Sequence, residues 1–240
     1  DEVDILASTL SKQSFGFSGA DIANICNEAS ILSVRRDKPC ITQAILEDAV
    51  DNVLLGHEKK TFRLSERERR IVAYHESGHT LVSHLLPNVK APIKVSIMPR
   101  GKSALGFSQT EVSETKLKTR DEILEKICVL LGGRVAELIF CDGITTGAAD
   151  DIEKSTALAY QYVAQFGMHD DIGPINCMKN KKHSEKLRAA IDDCVHIITK
   201  GCYDRTTKII EKHKQKIEKM TEALLERETL NQRDIEILFE

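Results

Sequence analysis

The sequence contains no tryptophan and only 5% aromatic residues, and its formal net charge is −3. A chain with few stacking platforms and no excess of positive charge has little to attract nucleic acid, so we expect no such partner. No run of 18 or more apolar residues occurs, and no signal or transit segment opens the chain. Because the first residues already have a helical pattern, we interpret the chain as an excised fragment, with any membrane anchor in segments absent here.

The seven cysteines are odd in number and include no C-x-x-C pair. A chain of 240 residues can bury a sizeable core and does not need a disulfide framework. Cys26, Cys128 and Cys194 lie within apolar helical patterns, which predicts reduced, buried thiols.

Hydrophobic periodicity predicts a mainly α fold with one small sheet. Ser18 opens one of the first three helices with an S-x-x-D capping box, and Thr42 precedes the third. The charged stretch 56–70 marks a boundary, which predicts domains at residues 1–60 and 61–240. The further elements are two strands at 93–98 and 104–110, and helices at about 65–86, 119–140, 149–166, 184–200, 203–227 and from 232.

The segment HESGH at 75–79 is the strongest chemical signal in the chain. On a helix, H-E-x-x-H places His75 and His79 one turn apart on one face, where both can bind a single Zn2+. Glu76 then lies beside the metal and can move a proton between water and the leaving amine. We therefore predict a zinc peptidase centre with Glu76 as its general base.

The third ligand is left open by the residues alone. Leu85 occupies the position where a metzincin site has its third histidine, and His84 falls about half a turn off the ligand face. A thermolysin-like site would take its third ligand from a glutamate on a later helix, but the sequence singles out no such glutamate. Asp150 and Asp151 begin a helix after TTGAA and point about 100° apart, so only one of them should face the metal.

The following helix adds two weaker signals. Gly132 and Gly133 within a helical run predict close helix packing rather than chemistry. Arg134 and Glu137 are candidates to hold a metal ligand in place, with a surface ion pair as the alternative.

Three motifs resemble the FtsH family of membrane-anchored AAA proteases, and most closely its mitochondrial paraplegin-like branch. GFSGADIANICNEA at 16–29 is similar to the lid of the ATPase module. AYHESGH at 73–79 is similar to the zinc helix. The segment from LGGR at 131–134 to TTGAADDI at 145–152 is similar to the part that delivers the third ligand.

The resemblance implies a helical ATPase lid followed by a mostly helical zinc-peptidase domain with one small β-sheet. It also implies that Asp151 is the third ligand and that Asp150 caps the helix or supports a ligand. An extended substrate would pair with an edge strand at 104–110, which makes Gly106, Phe107 and Ser108 substrate-binding residues. The alternative is an edge strand covered by another part of the fold.

The resemblance further implies a homo- or hetero-hexamer that degrades unfolded or membrane proteins at the mitochondrial inner membrane, with a bacterial or plastid membrane as the alternative. ATP and Mg2+ would act only in the full-length protein, because the sequence has no G-x-x-x-x-G-K-[ST] loop and we expect no ATPase activity from this chain. Two rival functions are a catalytically inactive assembly module, against which the intact Glu76 argues, and a nucleotide-responsive binding module, which the missing phosphate loop disfavours.

Overall fold

The computed structural model describes residues 2–13, 16–57, 64–99, 105–110, 117–178 and 183–239. The fold is mainly α-helical with one small sheet, as predicted. Its elements are α1 (Glu2–Gln13), α2 (Gly19–Arg35), α3 (Gln43–Leu55), α4 (Glu66–Leu85), β1 (Pro92–Ser96), β2 (Phe107–Thr110), α5 (Arg120–Phe140), α6 (Ala149–Tyr160), α7 (Glu185–Lys212), α8 (Lys214–Arg227), β3 (Thr229–Asn231) and α9 (Gln232–Phe239). A 3-10 turn (Thr146–Ala148) leads into α6, and a π-helical segment (Gln161–Gln165) extends it.

Local capping sets where several helices begin. Ser18 and Ser65 each accept a hydrogen bond from the backbone three residues on, and the acidic residue at that position bonds back to the cap. These reciprocal bonds satisfy backbone groups that a helix leaves unpaired at its first turn. Both helix starts were predicted from the sequence. Thr42 also occupies the cap position of α3, but its side chain makes no capping bond.

Buried side chains form two clusters. The first joins α2 and α3, with Ile25 and Val50 at its centre, and the second is built mainly from α4, α5, α7 and α8. A contact between Asp51 on α3 and Lys94 on β1, 2.5 Å from carboxylate to ammonium, joins the helices around the first cluster to the sheet. The predicted domain boundary between residues 60 and 61 falls outside the described residues and stays a prediction.

Helices α4 and α5 cross at two glycines. A Cβ atom on Gly78 would lie 2.4 Å from the carbonyl oxygen of Gly132, and one on Gly132 would lie 2.8 Å from the carbonyl oxygen of Gly78. Only residues without side chains allow the backbones to approach this closely. The predicted packing role of Gly132 is therefore confirmed, and the crossing brings the middle of α5 against the H-E-x-x-H turn.

The sheet has the strand order β2-β1-β3, with both pairs antiparallel. Val95 of β1 faces Ser108 of β2 on one side and Leu230 of β3 on the other. Strand β3 was not predicted, because three residues are too few to show an alternating pattern. Its register comes from pairing with a strand about 130 residues earlier in the chain.

Two further predictions were wrong. The expected break between helices at 200–203 is absent, because α7 continues through Gly201 and ends at Lys212. Burial of Cys202 and Ile210 on this helix outweighs the helix-weakening effect of one glycine, about 1 kcal/mol. Cys26 is exposed rather than buried, because the narrow buried face of α2 centres on Ile25 and Ala29.

All seven cysteines are free thiols. Within the described ranges, none of the helices has both the length and the apolar character needed to cross a membrane.

Candidate metal centre

The two histidines of the H-E-x-x-H turn lie on the side of α4 that faces α5. Their Nε2 atoms are 3.0 Å apart, and their rings meet edge to face with centroids separated by 4.6 Å. Both side chains are only about one-tenth exposed. The i, i+4 spacing predicted from sequence therefore gives two imidazole nitrogens that point at a common position.

Asp151, in the first turn of α6, completes the cluster. Its Oδ2 atom lies 3.2 Å from Nε2 of His75 and 3.2 Å from Nε2 of His79. Tetrahedral ligands at about 2.0–2.1 Å from a zinc ion are about 3.3 Å from one another. The separations among these three atoms thus fit one zinc ion with a fourth position left over.

Asp150 does not take part in this cluster. Its side chain is 71% exposed and pairs with Lys154 one turn later on the same helix, and the cap position of α6 is occupied by Ala148. The expectation that Asp150 caps the helix or supports a ligand is therefore wrong. Adjacent residues on a helix point about 100° apart, so orienting Asp151 inward turns Asp150 toward solvent.

The outer ring nitrogens determine the tautomers of the two histidines. His79 Nδ1 donates to the carbonyl oxygen of Val129 at 2.7 Å, and His75 Nδ1 lies 2.7 Å from Oε1 of Glu137. Since a carbonyl oxygen only accepts, Nδ1 of His79 carries the proton and its Nε2 offers a lone pair. Two ring nitrogens and a carboxylate that converge in this way repel one another unless a cation lies between them, so the residues fit a Zn2+ ion.

The electrostatics of the cluster also favour positive charge at this position. Burial lowers the pKa of His75, but hydrogen bonds to Asp151 and Glu137 outweigh burial and raise that pKa to about 10. For Asp151, burial raises the pKa, and the bonds to His75 and His79 reverse this and hold it well below its ordinary value.

Glu137 connects His75 to the segment that delivers Asp151. It is 1% exposed, and its second oxygen accepts a hydrogen bond from the backbone of Thr145 at 2.7 Å. Burial raises the pKa of Glu137, but the bonds to His75 and Thr145 lower it overall, which keeps the carboxylate ionised. One side chain therefore orients a histidine and the loop that precedes Asp151.

Sequence reasoning left the role of Glu137 open and predicted only close helix packing at Gly133. A Cβ atom on Gly133 would lie 2.5 Å from the imidazole ring of His75, so this glycine makes room for the ring. The i, i+4 spacing of Gly133 and Glu137 on α5 was an available signal, because it places both on one helix face. Arg134, within the described part of the chain, makes no hydrogen bond to the ligands.

Glu76 is buried beside the two histidines, with 7% of its surface exposed. Burial raises its pKa, and the neighbouring His79 and His75 only partly offset this. The segment leading into β2 passes close by, since a Cβ atom on Gly106 would lie 2.8 Å from Oε1 of Glu76. A buried carboxylate and an extended segment thus meet at the edge of the histidine cluster.

The predicted substrate strand is shorter than expected. Of the stretch 104–110, Ala104 lies outside the described residues, and β2 begins at Phe107. Phe107 is buried and Ser108 is partly exposed, and β2 is one of the two edge strands of the sheet. His84, as expected, lies away from the cluster, against the ring of Phe239 at 4.9 Å between centroids.

Comparison with known proteins gives two family matches. The family described as Peptidase family M41 matches residues 62–238, and the AAA+ lid domain matches residues 3–48. The resemblance to FtsH-type proteases stated from the motifs is confirmed.

Similar curated proteins come from plants, animals and bacteria. "ATP-dependent zinc metalloprotease FTSH 3, mitochondrial" of Arabidopsis thaliana is 41% identical over 227 residues, which cover 92% of this chain and 28% of that protein. "Mitochondrial inner membrane m-AAA protease component AFG3L2" of Mus musculus is 40% identical over 98% of this chain and 30% of its own length. "ATP-dependent zinc metalloprotease FtsH" of Pseudothermotoga lettingae is 41% identical over 96% and 39% respectively. The chain therefore spans about a third of the length of the relatives it matches.

Proposed function

The chain belongs to peptidase family M41, and from this membership we propose that it carries the proteolytic centre of an ATP-dependent zinc metalloendopeptidase. The observation that carries the proposal is the convergence of two imidazole nitrogens and one carboxylate oxygen, all within 3.2 Å of one another, beside a buried glutamate. His75, His79 and Asp151 would hold Zn2+, and Glu76 would act as the general base.

A zinc ion held by His75, His79 and Asp151 would supply Lewis-acid chemistry, which would polarise the scissile carbonyl and lower the pKa of bound water toward about 7. The Glu76 carboxylate takes a proton from the attacking water and delivers it to the nitrogen of the leaving amine. Its burial suits this double role, because a raised pKa makes the carboxylate a better proton acceptor. Glu137 and the Val129 carbonyl hold both histidines with Nε2 directed at the metal position.

The substrate would bind as an added strand at β2. Gly106, Phe107 and Ser108 would position an extended polypeptide, with Gly106 allowing the strand to pass close to Glu76. Backbone pairing of this kind selects little among side chains, which suits an enzyme that degrades unfolded or membrane polypeptides of many sequences.

The whole protein would work as a hexamer, with residues 1–60 as the ATPase lid and 61–240 as the peptidase domain. ATP and Mg2+ would bind a nucleotide core, for which this sequence has no phosphate loop. We place the whole protein at the mitochondrial inner membrane, which the names of mitochondrial relatives support. A bacterial or plastid membrane is the alternative. The ring would be a homo-hexamer or a hetero-hexamer.

Glu76→Gln provides the test of this function. The variant should keep the zinc content of the wild type and lose casein degradation in the presence of ATP by a factor of about 10²–10⁴ or more. Glu66→Gln, in the exposed first turn of the same helix, is the matched control and should keep full activity. Zinc content and casein cleavage are measured on the same preparations of the whole protein.

Full proteolysis by Glu76→Gln would refute the base assignment. A wild-type protein that binds no zinc and cleaves no casein would instead favour the inactive assembly module.

A further inference from the structure

A second set of metal-binding atoms lies on α7 and on the loop after the π-helical segment. His169, Asp171 and Cys194 each offer one ligand atom, and these atoms lie within 4.8 Å of one another. None of the three residues belongs to the cluster formed by His75, His79 and Asp151. A nitrogen, an oxygen and a sulfur ligand are therefore gathered at a place to which the proposed proteolysis assigns no role.

Backbone hydrogen bonds fix the loop that carries two of these residues. The carbonyl oxygen of His169 accepts bonds from the backbone of Ile172 and Gly173, and Gly173 has the left-handed backbone that such a turn requires, with φ of +74°. Neighbouring Asp170 pairs with Arg120 at the start of α5. The turn brings His169 and Asp171 to the same side of the loop, so their proximity follows from the backbone itself.

The histidine presents a nitrogen that can bind a cation. Nδ1 of His169 lies 3.4 Å from the backbone nitrogen of Asp171, a distance longer than that of a strong hydrogen bond, so this contact does not commit the nitrogen lone pair. The same atom lies 3.8 Å from Oδ2 of Asp171. A nitrogen lone pair and a carboxylate that face each other at this distance are stabilised by a cation between them.

The third ligand atom, Sγ of Cys194, comes from α7. Cys194 is 4% exposed, so the thiol meets the loop from the buried side. A metal ion binds a cysteine as the thiolate and releases the thiol proton.

We propose that His169, Asp171 and Cys194 form a second metal site, which takes a borderline transition-metal cation such as Zn2+ or Co2+ and fastens the 167–173 loop to α7. Thiolate and imidazole ligands favour this class of metal over Mg2+ or Ca2+, which take oxygen ligands. Ligands of one tetrahedral zinc ion are about 3.3–3.8 Å apart. The 3.8 Å between Nδ1 of His169 and Oδ2 of Asp171 lies at the upper end of that range, and Asp171 can adjust to a bound ion because its side chain is 78% exposed.

Cobalt substitution separates the two sites, because only the second one contains sulfur. Metal-free protein is titrated with Co2+, and both the bound equivalents and the near-ultraviolet sulfur-to-cobalt charge-transfer absorption are recorded. We expect two equivalents and a charge-transfer band. Cys194→Ser should lose the band and one equivalent, whereas Cys141→Ser, the matched control at a partly exposed thiol, should keep both.

His79→Gln should lose the other equivalent and keep the band, so a failure of the proteolytic site and a failure of this site give different results. Binding of a single equivalent without the band, or a band that survives Cys194→Ser, would overturn the proposal. Where Cys194→Ser does not fold, Asp171→Asn and His169→Gln replace it, since neither residue is fully buried. Circular dichroism monitors the fold, and a band that both replacements leave unchanged would equally overturn the site.

Discussion

Gly133 and His75 are in contact across the crossing of α4 and α5, and a Cβ atom on the glycine would lie 2.5 Å from the imidazole ring. Real Cβ atoms do not approach other atoms this closely, so a side chain on Gly133 would push the ring from its place. The ring is held from its other edge by Glu137 at 2.7 Å, which leaves it little freedom to adjust.

Gly133→Ala is therefore expected to weaken metal binding and proteolysis together. A displaced His75 ring would no longer direct Nε2 toward His79 and Asp151, and a ligand misplaced by about 1 Å can cost about 10²-fold in rate. Zinc content after dialysis and peptide cleavage measure the two effects.

Gly201→Ala is the matched control, because a Cβ there meets no atom within 4 Å and removing a helical glycine should stabilise the protein by about 1 kcal/mol. A Gly133→Ala variant with normal zinc content and normal activity would contradict the role given to this contact.

Gly106→Ala should reduce turnover and leave the metal in place. The added methyl would lie 2.8 Å from Oε1 of Glu76 and would displace either the carboxylate or the segment that enters β2. We expect a loss of about 10²-fold in kcat with unchanged zinc content. Gly19→Ala, where the new Cβ meets no atom within 4 Å, should behave as the wild type. Normal kcat in Gly106→Ala would remove the argument that this segment is fitted against Glu76.

Glu137→Gln should lower zinc affinity by about 10–100-fold, the usual effect of removing a group that orients a metal-bound histidine. The amide keeps the size of the side chain but lacks the charge that fixes the Nδ1 proton of His75. Competition with a chromogenic chelator measures the dissociation constant. Glu153→Gln, on the exposed surface of α6, serves as the control for loss of one negative charge. Equal affinities in the two variants would show that the carboxylate does not support the ligand.

Asp151→Ala should lose metal far more readily than Asp150→Ala. Asp151 points at both histidines, whereas Asp150 pairs only with the exposed Lys154, a contact worth about 0.3–0.5 kcal/mol. Dialysis against a weak chelator followed by metal analysis ranks the two. The reverse ranking would move the third ligand to Asp150 and would contradict the observed orientation of the α6 turn.

Lys94→Met should loosen the contact between α3 and the sheet. Asp51 is 2% exposed, and removing the lysine takes a charge partner away from a buried carboxylate, at a cost of about 1–3 kcal/mol. Faster hydrogen exchange in α3 and a lower melting temperature would report this loss. Lys200→Met breaks an exposed pair with Asp204 and should cost less than about 1 kcal/mol. Unchanged exchange in α3 of the Lys94→Met variant would mean that the ion pair does not hold the two parts together.

Much of the chemistry could be predicted from the chain because it depends on local spacing. The period of an α-helix fixes which residues share a face, so the H-E-x-x-H pattern alone placed His75, His79 and Glu76 together. Capping boxes fixed the starts of α2 and α4 in the same way, through bonds across three residues. The family resemblance supplied the choice of Asp151, which local spacing left open between two neighbours.

The tertiary structure alone decided the features that join distant parts of the chain. The contact of Gly133 with His75, the bridge from Glu137 to Thr145 and the pairing of β3 with β1 each depend on how helices and strands pack. A periodic pattern in the sequence cannot predict such contacts, because they form between residues that are far apart in the chain. Local spacing predicted which two histidines could share a metal ion, whereas only the crossing of α4 with α5 and the approach of α6 brought His75, His79 and Asp151 within 3.2 Å of one another.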